Sequence, residues 1–166
     1  IGGGLPVGMY GSSAKIMSNI SPEGNVYQAG TLSGNPVAMA AGIAQLSECL
    51  KPDFYKSLET KTKFLIDEIF KNIGGAASQL KIYSVGSIFW IAFTDKEVIR
   101  SAEEIDGDSM KYFRILHKEL LERGVYLGPS GYEVGFVCEA HSQNDLVKTA
   151  KSFAEALEIA LKKETV

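Results

Sequence analysis

The sequence is short of cysteine, of net charge and of long apolar runs, and each shortage excludes something. Its two cysteines, Cys49 and Cys138, stand far apart and form no C-x-x-C pair. No disulfide framework is on offer, and a reducing compartment, by default the cytoplasm, is expected. The net charge is only -3, which gives no pull toward a nucleic-acid backbone or an anionic membrane surface. The expected partners are a small molecule or another protein, with no nucleic acid and no membrane. No stretch approaches the roughly 20 apolar residues that a membrane span requires, and the N-terminus lacks the basic flank and apolar run of a signal peptide. No serine lies in a G-x-S-x-G setting. Cys138 and His141 form C-x-x-H without a companion pair, too few ligands for zinc, so no metal site is expected.

What is present is an ordinary globular composition: 166 residues, 45% hydrophobic and 22% charged, enough for a real core. The chain opens on Ile1-Gly2-Gly3-Gly4 with no initiator methionine, which reads as a piece of a longer protein; the alternative is a processed or tag-cleaved terminus.

Residues 1 to about 32 are glycine-rich, polar and weakly periodic, predicting loops and a short helix around Ser13 to Ser18. From Ser33-Gly34-Asn35-Pro36 the residues favour a helix start and predict a helix to about Leu50. Its alanines and glycine predict close packing against other backbone. Leu58, Leu65, Ile66, Ile69 and Ile73 then recur at helical spacing before Gly74-Gly75. Ile82 to Val85 and Ile88 to Phe93, separated by Gly86-Ser87, read as strands of a hairpin. Met110, Phe113, Leu116 and Leu120 predict a helix ending near Gly124, and Val125 to Leu127 and Val134 to Cys138 predict two short strands. Leu146, Ala150, Phe153, Leu157 and Leu161 mark a last helix over 144–162. The order implies helices on a small sheet, an α/β (α+β) small domain over 51–166, with residues 1–50 outside it as part of another domain.

Chemistry concentrates in two loops. In Gly30-Thr31-Leu32-Ser33-Gly34-Asn35-Pro36, glycine lets backbone amides approach a ligand and a threonine hydroxyl can donate to a phosphate oxygen. The helix start behind it predicts unpaired donors, although Pro36 removes one. The alternative is a loop that merely caps a helix. In Gly128-Pro129-Ser130-Gly131-Tyr132-Glu133, a hydroxyl and a carboxylate share a turn between strands, where binding groups often sit; the alternative for Glu133 is plain solvation. Phe89-Trp90 reads as core and His117 as a surface histidine.

Taken together, Ile1-Gly2-Gly3-Gly4-Leu5-Pro6-Val7-Gly8 and the run from Val26 through Gly42 resemble the class III, fold-type I aminotransferases that use pyridoxal 5'-phosphate (PLP). Within that class, Phe93-Thr94-Asp95, Gly124 to Ser130, Tyr132 to Phe136 and Ala140-His141-Ser142 resemble the glutamate-1-semialdehyde 2,1-aminomutases of tetrapyrrole synthesis. The resemblance implies that the chain is the C-terminal portion of such an enzyme, with residues 1–50 belonging to its PLP-binding large domain. The lysine that carries the cofactor would precede Ile1, so the chain would hold no catalytic residue and be inactive alone. Lys15 matches no cofactor lysine. Gly30 and Thr31 match the family's phosphate-contacting pair, which reaches the cofactor of the neighbouring subunit in a homodimer. Glu133 matches a glutamate near the substrate entrance, a partner for an arginine outside this chain that receives the substrate carboxylate. Tyr27 and Ser130 lie beside these motifs as candidate site residues. The alternatives are an ω-amino acid or acetylornithine aminotransferase, and a non-catalytic dimerisation module.

Overall fold

A computed structural model describes residues 1–163 and divides the chain into two units, Ile1–Phe54 and Tyr55 onward. The first consists of loops and two helices, α1 (Ala14–Met17) and α2 (Pro36–Cys49). α2 begins where the sequence predicts. The Asn35 side chain accepts hydrogen bonds from the amides of Val37 and Ala38, both at 3.1 Å, and Pro36 occupies the first turn, where a missing amide costs nothing. The small residues of α2 permit close backbone approach. A side chain at Gly3 would collide with the Ala41 carbonyl, and one at Gly42 would press on the carbonyl oxygen of Ile1. Gly3 also sits at φ 57°, a left-handed conformation that glycine adopts at no cost. The opening glycines thus let the chain cross α2 at backbone distance.

Burial in this unit is slight. Among residues 1–54 only Gly2, Ala38 and Gly42 are buried, while Val37, Ile43 and Leu46 on α2 and Leu50 at its C-cap are exposed. So little apolar burial offsets little of the conformational entropy lost on ordering.

The second unit carries α3 (Phe54–Ile73), β1 (Leu80–Val85), β2 (Ile88–Phe93), α4 (Met110–Glu122), β3 (Gly135–Phe136) and α5 (Gln143–Lys163). The strands form an antiparallel sheet in the order β1-β2-β3. Tyr83 stands opposite Trp90, and Phe89 opposite Gly135. Gly86, at φ 57°, turns the hairpin. Leu65 and Ile69 of α3, Leu116 and Leu120 of α4, and Phe153 and Leu157 of α5 close over Leu80, Phe89 and Ile91 in one core. This is the helix-on-sheet α/β arrangement that the sequence predicts. At the start of α5 the Ser142 hydroxyl and amide both donate to the Asp145 carboxylate, at 2.6 and 2.9 Å, and the Asp145 amide donates back to the hydroxyl at 3.2 Å, a reciprocal cap.

Two predicted strands are corrected. Val125 to Leu127 joins no ladder, because the Val125 amide is bound to the Leu120 carbonyl at the end of α4 and the Leu127 carbonyl is taken by the His117 ring. Side-chain and cap bonds compete here with sheet pairing. Val134 to Cys138 shrinks to Gly135–Phe136, since the Cys138 amide turns to His141 Nδ1 at 3.1 Å rather than to a neighbouring strand.

Candidate functional site

The loop before α2 lines an open concavity of about 490 Å³ whose walls include Pro6, Val7, Tyr10, Gly30, Thr31 and Ser33. Its turns use the Ser33 and Asn35 amides, which donate to the carbonyls of Gly30 and Leu32 at 2.9 and 3.1 Å. Among the described residues, the amides of Gly30, Thr31, Leu32 and Gly34 and the Thr31 hydroxyl have no partner in the protein. Several donors thus remain available at one exposed loop, a concave set of the kind that holds anions.

The helix start contributes less than the sequence predicts. Asn35 consumes the amides of Val37 and Ala38, and Pro36 has none, so α2 offers its dipole but not its first donors. Any anion here would be bound by the loop. Gly30 is constrained from the other side as well: a β-carbon on it would lie 3.0 Å from Ser33 Oγ, tighter than ordinary contact.

In the second unit, Ser130 and Glu133 share one turn. The Glu133 amide donates to the Ser130 carbonyl at 3.0 Å, and the Tyr132 amide to Ser130 Oγ at 3.2 Å. Ser130 is therefore engaged in shaping the turn. The Glu133 side chain is exposed and lies against Gly128, where a β-carbon would overlap its carboxylate. Among the described residues that carboxylate has no cation or donor beside it.

The remaining candidates fall apart from these clusters. Tyr27 is 82% exposed and does not line the concavity of Gly30 and Thr31. Lys15 is exposed on α1. Two side chains that the sequence assigns to background roles turn out to be tied to the 127–133 turn. Trp90 is half-buried and donates its ring N–H to the Gly131 carbonyl at 2.8 Å. His117 is half-buried, with Nε2 at 3.2 Å from the Leu127 carbonyl. The only sequence hints were their polar atoms within otherwise apolar patterns.

A profile of the aminotransferase class-III family matches residues 1–161. The chain belongs to that family. A glutamate-1-semialdehyde 2,1-aminomutase of Desulfosudis oleivorans is 44% identical over 152 residues, 92% of this chain and 35% of that protein. A protein of the same name from Campylobacter fetus subsp. fetus is 43% identical over 94% of this chain and 37% of its own length. The chain thus spans about a third of the curated relatives it matches. Among solved structures, an omega-transaminase from Sphaerobacter thermophilus superposes with a TM-score of 0.79 at 26% identity, covering 96% of this chain and 37% of its own. A glutamate-1-semialdehyde aminomutase variant from Pseudomonas aeruginosa PAO1, solved with PMP, gives 0.64 at 21% identity over 81% of this chain and 30% of its own; at that identity the likeness is one of fold.

Class-III aminotransferases are PLP enzymes, and the loop of this chain fits the phosphate end of that cofactor. Its unpaired amides and hydroxyl are all donors, and no carboxylate lines the concavity.

Proposed function

We propose that this chain is the C-terminal part of a PLP-dependent glutamate-1-semialdehyde 2,1-aminomutase, which converts glutamate 1-semialdehyde to 5-aminolevulinate, and that it is inactive alone. The observation that carries the reading is the 44% identity to a protein of that name, sustained over 92% of the chain. In the intact enzyme, cytoplasmic and homodimeric, residues 1–50 complete the large domain and residues 51–166 form the small one.

When bound, PLP acts as amino carrier and electron sink. The Thr31 hydroxyl and the Gly30 and Thr31 amides hold its phosphate, and the positive end of α2 lies behind them. Charge-assisted donation from fixed backbone amides fixes position as well as affinity, because the loop is pre-turned by its own Ser33 and Asn35 bonds. Glu133 fixes an arginine of the enzyme that receives the substrate carboxylate, an ion pair for which its carboxylate is free. Ser130 shapes the turn that presents Glu133, and Tyr27, three residues ahead of Gly30 in sequence, offers an exposed ring outside the concavity.

A second reading, an ω-amino acid transaminase, draws on the 0.79 superposition with the Sphaerobacter enzyme. The two differ in stoichiometry. An aminomutase rearranges one substrate with no external amino acceptor, whereas a transaminase needs a second substrate to turn over. The purified intact enzyme, given glutamate 1-semialdehyde and no keto acid, is expected to release 5-aminolevulinate over many turnovers. Turnover only on addition of a keto acid would replace the proposal with the second reading.

A further inference from the structure

Glu133 is held in an unusual way for a residue assigned a binding role. It has no side-chain partner among the described residues, so its location is set by the backbone of its turn. That backbone is anchored from beneath by two side-chain donors on different elements. Trp90 on β2 donates to the carbonyl of Gly131, at 2.8 Å. His117 on α4 lies 3.2 Å from the carbonyl of Leu127; a carbonyl can only accept, so Nε2 carries the proton. The anchored carbonyls flank Gly128, the residue on which Glu133 rests. Each anchor is itself oriented by a ring. Tyr83 stacks on Trp90 with centroids 5.5 Å apart, and Phe113 on His117 at 6.2 Å. Gly131 is buried so closely on Met110 and Phe113 that any side chain there would overlap them, which leaves the turn little room to settle elsewhere.

We infer that Trp90 and His117 are positioning residues, whose N–H groups hold the 127–133 turn so that the Glu133 carboxylate is presented at a fixed point for substrate recognition. The inference rests on the role proposed for Glu133. Neither ring need touch the substrate; each acts through the turn. Removing one donor leaves a carbonyl unpaired and lets the turn move, and displacement by a fraction of an ångström is enough to weaken a binding geometry.

The test uses the intact enzyme and four variants: Trp90→Phe and His117→Phe, which keep a ring and lose the donor, His117→Gln, which keeps an N–H donor, and Glu133→Gln. Hydrogen exchange at the hydrogen-bonded turn amides of Tyr132 and Glu133 is compared with exchange in α3, alongside KM and kcat for glutamate 1-semialdehyde. The expected result for both Phe variants is exchange in the turn faster by roughly tenfold with α3 unchanged, a KM higher by roughly fivefold, and kcat little altered. His117→Gln should return both readouts toward the parent. Unchanged exchange in the turn would overturn the inference, as would equal acceleration in α3, which signals general loosening. If the turn loosens and KM stays constant, Glu133→Gln separates the failures. A raised KM for Glu133→Gln overturns the positioning role alone; an unchanged one overturns the substrate role of Glu133, and the positioning role falls with it.

Discussion

The carboxylate of Glu133 rests directly on the α-carbon of Gly128, in space that a β-carbon at position 128 would occupy. Gly128 is not in a left-handed conformation, so glycine is needed here for proximity rather than for φ. Gly128→Ala should therefore displace Glu133: its exposed carboxylate can swing outward, but its β-carbon, 2.9 Å from the added methyl, moves only with the turn, so a cost of about 1 kcal/mol is expected. In the intact enzyme the variant is expected to bind substrate several-fold more weakly at a nearly unchanged melting temperature. Parallel KM and thermal-melt measurements check this.

Gly135 offers a contrast. A side chain there would strike the ring of Phe89, which is buried in the core and opposes Gly135 across the sheet. The ring has nowhere to swing, so overpacking should cost about 1–3 kcal/mol in Gly135→Ala. Urea denaturation of the two alanine variants side by side should rank Gly135→Ala well below Gly128→Ala.

Much of the second unit was legible because its signals are local. Leu65 and Ile69, and Leu116 and Leu120, repeat at helical spacing whatever they pack against, and Gly86-Ser87 between two β-rich runs reads as a hairpin. Val125 to Leu127 misled because its composition favours a strand while its fate was decided by distant groups, the Leu120 carbonyl and the His117 ring. The glycine and threonine of the Gly30–Thr31 loop stand out in sequence, but the capping of α2 by Asn35, which diverts donors away from that loop, depends on a rotamer that no pattern encodes. Trp90 and His117 were invisible as anchors for the same reason: a polar atom on an apolar stripe does not say which carbonyl it will meet.

The cap on α5 makes stability sensitive to acid. Hydrogen bonds from the Ser142 hydroxyl and then from its amide hold the Asp145 carboxyl below its ordinary value of 3.8. A depressed folded-state value means the cap contributes fully above 3.8 and is lost as pH falls through the lower, folded value. Asp145→Asn should thus be less stable than the parent at neutral pH, and the gap should close in strong acid. Chemical denaturation at a series of pH values would show the convergence; a gap constant down to the lowest pH would contradict it.

Ile43 and Leu46 of α2, with Leu50 just past its end, are exposed on one helical face, an apolar surface of the kind that drives association. The chain by itself is expected to self-associate as concentration rises, and Ile43→Glu should reduce that tendency. Sedimentation velocity across a concentration series reads the result directly.

In the enzyme as proposed, the Gly30–Thr31 loop, and not the start of α2, binds the cofactor phosphate. The most direct measurement compares PLP with pyridoxal, which lacks the phosphate, as ligands of the intact apoenzyme and its Thr31→Val variant. Losing one charge-assisted donor should weaken PLP binding by roughly tenfold or more, with pyridoxal affinity unchanged. Equal PLP affinity in the two proteins, or an equal loss for both ligands, would contradict the claim.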